Sequence, residues 1–345
     1  MIKRLIGLWG IMGLLWLLTG CGAHERIKVS DYPAPKAPVP ARDSIVIPPA
    51  LKPGDTVMIV APAGYVSNRN GYIERADSLL RAWHLVPVHG PNLMARHYSF
   101  AGTDAQRLAD LQAALDNPSV KAIWAARGGY GSVRILDGID WSGFEKHPKW
   151  LIGFSDITVL LNALYVNGYA SIHGIMPISL THPTPKRKPA LVTLKNLMFG
   201  KQLSFRIPAD TANIRGEGEG ELIGGNLSML VSLLGSPQQL DTRGKILFLE
   251  DVDEYLYVYD RLLYALARAG YFDHLAGLLV GDFSAKHGNE AFGENIRQMI
   301  LKHTRGKGYP VVFGFPAGHV VKNYALPFGK RAHIKVTRRR VTITY

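Results

Sequence analysis

The strongest constraint on the fold is the alternation of short apolar segments with segments of helical spacing between residues 55 and 153. The apolar segments that predict buried strands start at Asp55, Leu85, Val120 and Trp150. Residues 70–83 and the segment that begins at Thr103 repeat their apolar residues with the spacing of a helix buried on one face. Strands that alternate with helices predict a doubly wound parallel α/β domain, in which ligands bind where strands end in loops. We assign residues 51–181 to this domain.

The alternation stops over residues 182–220. This stretch opens with a turn-rich basic run at 182–189 and closes with glycines and glutamates at 215–220, which is typical of a connection between domains. The later segments with a clear pattern are a helix through Leu234, a strand at 245–249, a helix at 259–269 and a strand at 275–280. The sequence therefore predicts a linker over 182–220 and a second domain over 221–345.

The amino terminus has the features of an export signal. Two cations, Lys3 and Arg4, precede an uncharged apolar run over 5–18, which is shorter than the roughly 20 residues that a spanning helix needs. The run ends in a Leu-Thr-Gly-Cys tetrapeptide that resembles a bacterial lipobox. We therefore predict a signal peptide over 1–20 and lipidation of Cys21, which would anchor the chain to a membrane. The alternatives are an uncleaved anchor and a conventional secretory signal, with Cys21 incidental.

Residues 21–50 are polar and rich in proline, which predicts a semi-extended tether between the lipid and the folded part. Gly22 after the cysteine resembles the pattern that permits sorting to an outer membrane. We therefore expect a lipoprotein of the cell envelope that faces the periplasm. The chain carries 40 Lys and Arg against 27 Asp and Glu, a formal net charge of +13, which favours anionic partners. In a cell envelope these are peptidoglycan and lipid head groups, whereas nucleic acid is not an expected partner.

Composition limits the cofactor chemistry. A single cysteine excludes an intramolecular disulfide, a cysteine-rich zinc site and an iron–sulfur cluster. The 12 histidines form no HExxH or HxH pattern. The chain also lacks the GxGxxG and GxxxxGK[ST] phosphate-binding motifs. We predict no metal and no organic cofactor.

Three reactive side chains follow apolar segments at distant points of the chain: Ser155, Glu250 and His319. Alone, the serine is often a helix N-cap, the glutamate a solvated or capping acid, and the histidine a structural residue. Together they have the types of a serine nucleophile, its orienting carboxylate and its base. Their order matches that of α/β-hydrolases, but the segment around Ser155 lacks the second glycine of GxSxG. The glycine-rich segment 127–131 permits a tight turn or presents N–H groups to a developing oxyanion.

Five ordered blocks resemble the LD-carboxypeptidase family of serine peptidases: 127–131, 153–156, 224–226, 249–251, and the pair 318–319 with 327–329. The resemblance covers residues from about Leu51 to the C-terminus. It implies an N-terminal α/β domain and a smaller C-terminal α/β domain, with the active site between them. It also implies a homodimer, although nothing in the sequence identifies an interface.

The resemblance also implies roles for single residues. Matching motif positions give Ser155 as the nucleophile, Glu250 as the orienting carboxylate and His319 as the general base. The oxyanion would bind to the backbone N–H of Asp156 and to that of Gly128 or Gly129. Arg127 is the candidate for a substrate carboxylate, although it could instead tie the domains together. Asn226 would bind the peptide backbone, or would only satisfy its own turn.

The implied reaction is hydrolysis of the meso-diaminopimelate–D-alanine bond of a peptidoglycan tetrapeptide. Many family members are cytoplasmic, whereas export would give this chain access to intact murein. LD-endopeptidase activity on 3-3 cross-links is therefore a further hypothesis. The alternatives are a non-catalytic murein-binding lipoprotein and an immunity-type peptidase that acts on peptide–nucleotide conjugates.

Overall fold

The computed structural model describes residues 44–286 and 292–345, and within them a first, six-stranded sheet. Its strands are β1 Thr56–Val60, β2 Val86–His89, β3 Val120–Ala125, β4 Trp150–Gly153, β5 Ser171–His173 and β11 Leu326–Phe328, where labels follow chain order. The order across the sheet is β11-β5-β4-β3-β1-β2. Strands β1 to β5 are parallel, and β11 is antiparallel to β5. The helices of this part are α1 Tyr72–Ala82, α2 Asp104–Asp116, α3 Ser142–Lys146, α4 Thr158–Val166 and α5 Lys188–Met198.

A second sheet has seven strands within the described part of the chain. They are β6 Ser204–Pro208, β7 Gly216–Asn226, β8 Ile246–Glu254, β9 Gly277–Ala285, β10 Val311–Val312, β12 Arg331–Val336 and β13 Arg340–Thr344. Their order is β10-β9-β8-β7-β12-β13-β6. The four strands from β10 to β7 are parallel, and the others pair antiparallel. The helices of this part are α6 Leu227–Ser232, α7 Leu256–Arg268 and α8 Ile296–Thr304.

Local sequence explains the predicted elements of the first sheet. β3 and β4 are buried almost throughout, as the continuous apolar runs of a parallel sheet predict. Helix α2 begins with a capping box in which Thr103 and Gln106 satisfy each other's backbone N–H groups. At its other end, the buried Lys149 ammonium donates to three carbonyls, including those of Ala114 and Leu115. The α/β class predicted from the alternation is the class that the structure has.

The two sheets share one hydrophobic core. Phe248 of β8 and Ile334 of β12 belong to the same buried cluster as Ile152 of β4 and Phe328 of β11. A second cluster fills the space between β7–β10 and helices α6 to α8, with Tyr259 among its fully buried members. The shared core brings the carboxyl ends of β4 and β8 to the same region of the molecule.

The predicted linker and second domain contain elements that the sequence did not predict. Residues 182–220 include helix α5, strand β6 and the first half of β7, and β6 is the edge strand of the second sheet. Strand β11, from the range 221–345, crosses back to pair with β5 of the first sheet. The predicted signal peptide 1–20, Cys21 and most of the tether lie outside the described residues. Across 44–286 and 292–345, no helix has the length and apolar character needed to cross a membrane.

Candidate active site

Ser155 lies on a sharp turn between β4 and α4. Its φ is +63°, in the left-handed region that side chains other than glycine rarely adopt. A single turn of 3-10 helix, Ser155–Ile157, then leads into α4. The turn also requires a glycine at position 153, because a methyl group there would lie 2.7 Å from the Ile157 side chain. This is the strained strand-to-helix turn that exposes a nucleophile in α/β-hydrolases, formed here without the second glycine.

The hydroxyl of Ser155 lies in a chain of hydrogen bonds with His319 and Glu250. His319 Nε2 is 3.1 Å from Ser155 Oγ, and His319 Nδ1 is 2.7 Å from Glu250 Oε2. The N-cap position of the 3-10 turn is Phe154 and that of α4 is Ile157, so the N-cap interpretation of Ser155 is wrong. The histidine loop approaches Glu250 closely because Gly318 precedes it. A methyl group at Gly318, where φ is +107°, would lie 2.8 Å from Glu250 Oε2.

Burial and charge act in opposite directions on this pair. Burial lowers the pKa of His319, but the hydrogen bond and charge of Glu250, with Asp251 and Asp282 nearby, raise it above the ordinary value overall. Burial raises the pKa of the fully buried Glu250, and the contact with His319 opposes that shift. An ionised Glu250 accepts a hydrogen bond from Nδ1–H of His319, which leaves the Nε2 lone pair directed at the Ser155 hydroxyl. This arrangement can remove a proton from Ser155 and stabilise the resulting imidazolium.

Gly128 and the backbone of Asp156 form a wall beside the Ser155 hydroxyl, which we call the oxyanion wall. A methyl group at Gly128 would lie 3.3 Å from both Ser155 Oγ and Asp156 N, so the absence of a side chain leaves space in front of the hydroxyl. The Asp156 carboxylate accepts N–H bonds from Gly131 and Ser132, and the Ser132 hydroxyl donates to the Asp156 carbonyl at 2.6 Å. These bonds fix the glycine-rich loop against the serine turn. Space beside fixed N–H groups suits a developing oxyanion.

Gly129 and Arg127 lie on the outer side of this wall. Gly129 is exposed and has a φ of +109°. The half-buried Arg127 donates from Nη1 to the carbonyl of Tyr65 at 3.1 Å and from Nε to the carbonyl of Gly128 at 3.2 Å. Both acceptors belong to loops of the first sheet. Arg127 therefore braces those loops and places a positive charge beside the site.

Asn226 lies at the junction of β7 and α6, and its side chain is occupied there. Its Oδ1 caps α6 by accepting from Met229 N, and its Nδ2 donates to the Asp251 carboxylate. The backbone N–H of Asn226 donates to Thr158 Oγ1 at the start of α4. These contacts match the interpretation of Asn226 as a residue that satisfies its own turn. They also connect the second sheet to the helix that follows Ser155.

Sequence reasoning missed three residues that surround His319. Asn323 Oδ1 accepts the Gly318 N–H at 2.9 Å and so holds the histidine loop. Asp251, which binds Asn226, also raises the pKa of His319. His173 of β5 is fully buried behind the site, and burial lowers its pKa to about 3, so its ring is neutral. The only sequence signal for Asn323 is its place between two of the family-like blocks.

The predicted absence of a metal remains a prediction. In the ranges that the structure describes, no group of three or more His, Cys, Asp or Glu is placed to hold a metal ion. The reactive groups of the site are a hydroxyl, an imidazole and a carboxylate in hydrogen-bond contact. With the α/β fold, they define the class of serine-type hydrolases.

Comparison with known proteins gives the family. The LD-carboxypeptidase N-terminal domain matches residues 57–174, and the LD-carboxypeptidase C-terminal domain matches residues 219–334. The chain belongs to the LD-carboxypeptidase family and is a serine carboxypeptidase, which confirms the predicted family, the two-domain α/β fold and the enzyme class.

Relatives cover nearly all of the folded part. The "probable murein peptide carboxypeptidase" of Bacillus subtilis is 36% identical over 303 residues, 86% of this chain and 93% of the relative. The "murein tetrapeptide carboxypeptidase" of Pseudomonas aeruginosa is 32% identical over 297 residues, 82% of this chain and 94% of the relative. The crystal structure of muramoyltetrapeptide carboxypeptidase from Oxalobacter formigenes is 31% identical with a TM-score of 0.75, and the match covers 84% of this chain and 98% of that one.

Proposed function

We propose that this enzyme is an LD-carboxypeptidase that releases D-alanine from the tetrapeptide of murein. The hydrogen-bond chain from Ser155 through His319 to Glu250 carries the proposal, because it supplies a nucleophile and a base at 3.1 Å. The names of the relatives supply the substrate class. The bond that breaks is the amide between the L-centre of meso-diaminopimelate and D-alanine.

In the first half-reaction, Ser155 Oγ attacks the carbonyl carbon of this amide. The hydroxyl proton passes to His319 Nε2, and Glu250 stabilises the imidazolium that forms. The carbonyl oxygen becomes an oxyanion, which accepts hydrogen bonds from Asp156 N–H and from Gly128 or Gly129 N–H. His319 then gives its proton to the amide nitrogen, the C–N bond breaks, and D-alanine leaves as an amine.

In the second half-reaction, water hydrolyses the acyl enzyme. His319 takes a proton from the water as the water oxygen attacks the ester carbonyl of acylated Ser155. The ester C–O bond then breaks, and His319 returns the proton to Ser155 Oγ. The products are a tripeptide with a free carboxylate and the regenerated enzyme. Murein peptides carry several carboxylates, and Arg127 supplies positive charge beside the site for one of them.

Product analysis on a defined tetrapeptide tests this proposal. Wild-type protein should release D-alanine and leave the tripeptide, as detected by mass spectrometry. Ser155→Ala should keep its circular dichroism spectrum and lose turnover. Ser78→Ala, which removes an exposed hydroxyl on α1, is the matched control and should keep full activity. Unchanged turnover in Ser155→Ala would overturn the nucleophile assignment. Binding of tetrapeptide by wild-type protein without cleavage would support the murein-binding alternative instead.

The same site would act on cross-linked murein if the protein reaches it. We infer LD-endopeptidase activity on 3-3-linked dimers from the predicted export signal, and incubation with such dimers tests it. A product mixture without cleaved dimers removes this activity and leaves the carboxypeptidase. An immunity-type activity would instead appear as cleavage of a peptide–nucleotide conjugate in the same assay.

Anchoring in the cell envelope depends on Cys21. Cys21→Ser should move the protein from the membrane fraction to the soluble fraction, and mass spectrometry of wild-type protein should find a lipidated cysteine. An unmodified cysteine on a membrane-associated chain would favour an uncleaved anchor.

Analytical ultracentrifugation of a variant that starts after Cys21 tests the homodimer that the family resemblance implies.

A further inference from the structure

A cluster of aromatic and cationic side chains lies beside the active site and has no role in the chemistry above. We call it the aromatic rim and define it as Arg96, Tyr98, Phe100, Tyr130 and Arg134. Tyr98 is 80% exposed and Tyr130 is 53% exposed, both high values for large side chains. Exposed aromatic groups that cluster together usually mark a binding surface.

Tyr98 is presented by a tight hairpin turn. His97 and Phe100 exchange backbone hydrogen bonds of 3.0 Å in both directions, so Tyr98 and Ser99 form the tip. The φ of Tyr98 is +54°, in the left-handed region where glycine or asparagine is usual. A bulky residue in this conformation is strained, and such strain is characteristic of functional positions. The turn therefore holds an aromatic ring in water at the expense of backbone strain.

The hairpin is connected to the oxyanion wall by backbone hydrogen bonds. Tyr65 N donates to Ser99 O at 3.2 Å, and Gly64 N donates to Gly128 O at 3.2 Å. Gly128 in turn faces Ser155. Two successive backbone spacings of about 4.8 Å place the hairpin backbone on the order of 10 Å from Gly128, the residue that lies against Ser155.

The other side chains of the rim contact one another and the hairpin backbone, and the Tyr98 ring packs 4.7 Å from the His97 ring. The Phe100 ring lies 5.9 Å from the Tyr130 ring, and the Arg134 guanidinium lies 5.0 Å from Phe100. Arg96 donates to the Tyr98 carbonyl at 3.1 Å and stacks 4.1 Å from the Tyr65 ring. Arg134 is ion-paired with Asp104, whereas Arg96 has no ion pair within the described part of the chain. The rim combines flat apolar faces, phenolic hydroxyls and positive charge.

We propose that the aromatic rim is a saccharide subsite, in which Tyr98 and Tyr130 bind the amino-sugar end of a glycan-linked murein peptide. The inference rests on the proposed function and extends it to the choice between free and glycan-linked peptides. The apolar C–H faces of a sugar ring pack on aromatic rings, and the tyrosine hydroxyls reach its polar edge. Positive charge beside the rings suits the carboxylates of the peptide between sugar and scissile bond.

The chain length of the substrate matches the position of the rim. In a muramoyl tetrapeptide, three residues separate the sugar-bearing end from the bond that Ser155 would attack. Three residues at no more than about 3.3–3.6 Å each span roughly 10 Å. This is the order of distance from Gly128, beside Ser155, to the hairpin backbone, so an extended peptide bound in the site can bring its sugar to the rim.

Paired substrates test the subsite. The free tetrapeptide and the same peptide carrying its disaccharide are compared by kcat/KM, using wild-type protein, Tyr98→Ala, Tyr130→Ala and the conservative Tyr98→Phe. We expect each alanine variant to lower kcat/KM about tenfold for the glycan-linked peptide, mainly through KM, and to leave the free peptide unchanged. Tyr98→Phe should retain most of the preference. The matched control is Tyr264→Ala, because Tyr264 is 45% exposed on α7 and packs against His303.

The outcomes separate the subsite from the proposed function. If the alanine variants lose kcat/KM equally on both peptides, or on neither, the subsite is overturned. Release of D-alanine by wild-type protein would still support the carboxypeptidase in that case. Failure of wild-type protein to cleave either peptide would count against the carboxypeptidase alone. In that case, calorimetric titration with the free disaccharide decides the subsite, because binding that Tyr98→Ala abolishes supports it and absence of such binding overturns it.

Discussion

Gly128→Ala adds one methyl group where the proposed mechanism places the oxyanion. The new carbon would lie 3.2 Å from Ser155 Cβ and 3.3 Å from Asp156 N and from Ser155 Oγ. Position 128 does not have the positive φ that would strain an alanine. The backbone therefore tolerates the substitution, and its effect falls on the space in front of the hydroxyl.

The geometry gives the size of the effect. An oxyanion must lie about 2.7–3.1 Å from its N–H donors. A methyl carbon and an oxygen approach each other no closer than about 3.3 Å. Both can therefore lie near Asp156 N only if the angle carbon–nitrogen–oxygen, measured at Asp156 N, exceeds about 60°. The methyl group therefore competes with the oxyanion for the Asp156 N–H. Loss of one such donor typically lowers kcat by about 10²–10³-fold, or 2.7–4 kcal/mol of transition-state stabilisation.

Steady-state kinetics on the tetrapeptide check this prediction. We expect kcat to fall at least about a hundredfold with KM within a few-fold of wild type, because the N–H contact forms only in the transition state. The thermal midpoint should change little. Alanine has less conformational freedom than glycine in the unfolded chain, which stabilises the folded state by about 0.4–1 kcal/mol and offsets the cost of the close contacts. Gly277→Ala is the control, because its methyl group would have no neighbour closer than 3.6 Å. A Gly128→Ala enzyme with kcat within threefold of wild type would refute this oxyanion site.

Three further predictions concern the base, a buried cation and the histidine loop. The raised pKa of His319 places the acid limb of kcat/KM above the pH where an ordinary histidine titrates, and Glu250→Gln should move this limb to lower pH while reducing the rate. Lys149→Met leaves buried carbonyls without a donor, and urea denaturation should show a loss of about 1–3 kcal/mol at unchanged kcat. Asn323→Ala frees the Gly318 N–H and should lower kcat about tenfold at constant KM.

Each of these predictions has an outcome that contradicts it. An acid limb that Glu250→Gln does not move would show that Glu250 does not raise the pKa of His319. Lys121→Met, at an exposed lysine whose ammonium contacts a single carbonyl, should cost much less stability than Lys149→Met. An Asn323→Ala enzyme with normal kcat would show that the histidine loop does not need this anchor. The raised pKa of His319 also links folding stability to pH with a definite sign. The protonated histidine stabilises the folded state at low pH, and this contribution is lost as the pH rises through the raised pKa.

Continuous local patterns made the first sheet predictable. β3 and β4 are apolar runs, and α2 carries both its buried stripe and its cap within the sequence of the helix. The sequence predicted a linker where α5 lies, because Pro189 belongs to a proline-rich stretch that is typical of turns. Within the first turn of a helix, proline removes only an N–H that would have no intrahelical partner, so α5 accommodates it. Strand β11 has three residues and forms only through its partner β5, so no local pattern predicts it.

In the candidate site, too, local sequence patterns predicted some residues, whereas others depend on contacts with distant parts of the chain. Ser155 follows β4 and His319 follows Gly318, whereas Glu250 lies within β8, directly after its apolar residues 246–249. The chemical types of these three residues suggested a common site. Their contacts depend on the packing of two sheets, which spacing along the chain does not reveal. Asn323 and Asp251 act through hydrogen bonds to backbone or to a neighbouring amide. Such residue types are common in turns, so Asp251 was noted only as part of the block 249–251, and nothing in the sequence separated Asn323 from an ordinary turn residue.

The path of the chain around His319 explains how one site can use groups from two sheets. The segment between β10 and β11 leaves an edge of the second sheet and reaches an edge of the first, and His319 lies within it. Two backbone N–H groups fix the segment at its two sides: Phe315 N donates to Val280 O in the second sheet, and Ala325 N donates to the hydroxyl oxygen of Thr193 on α5. A base on a crossing held at both ends keeps its distance to Ser155 only while the sheets keep their packing. Mutations in the shared core should therefore reduce kcat before they unfold the chain, because sub-ångström displacements of a base cost more in rate than in stability.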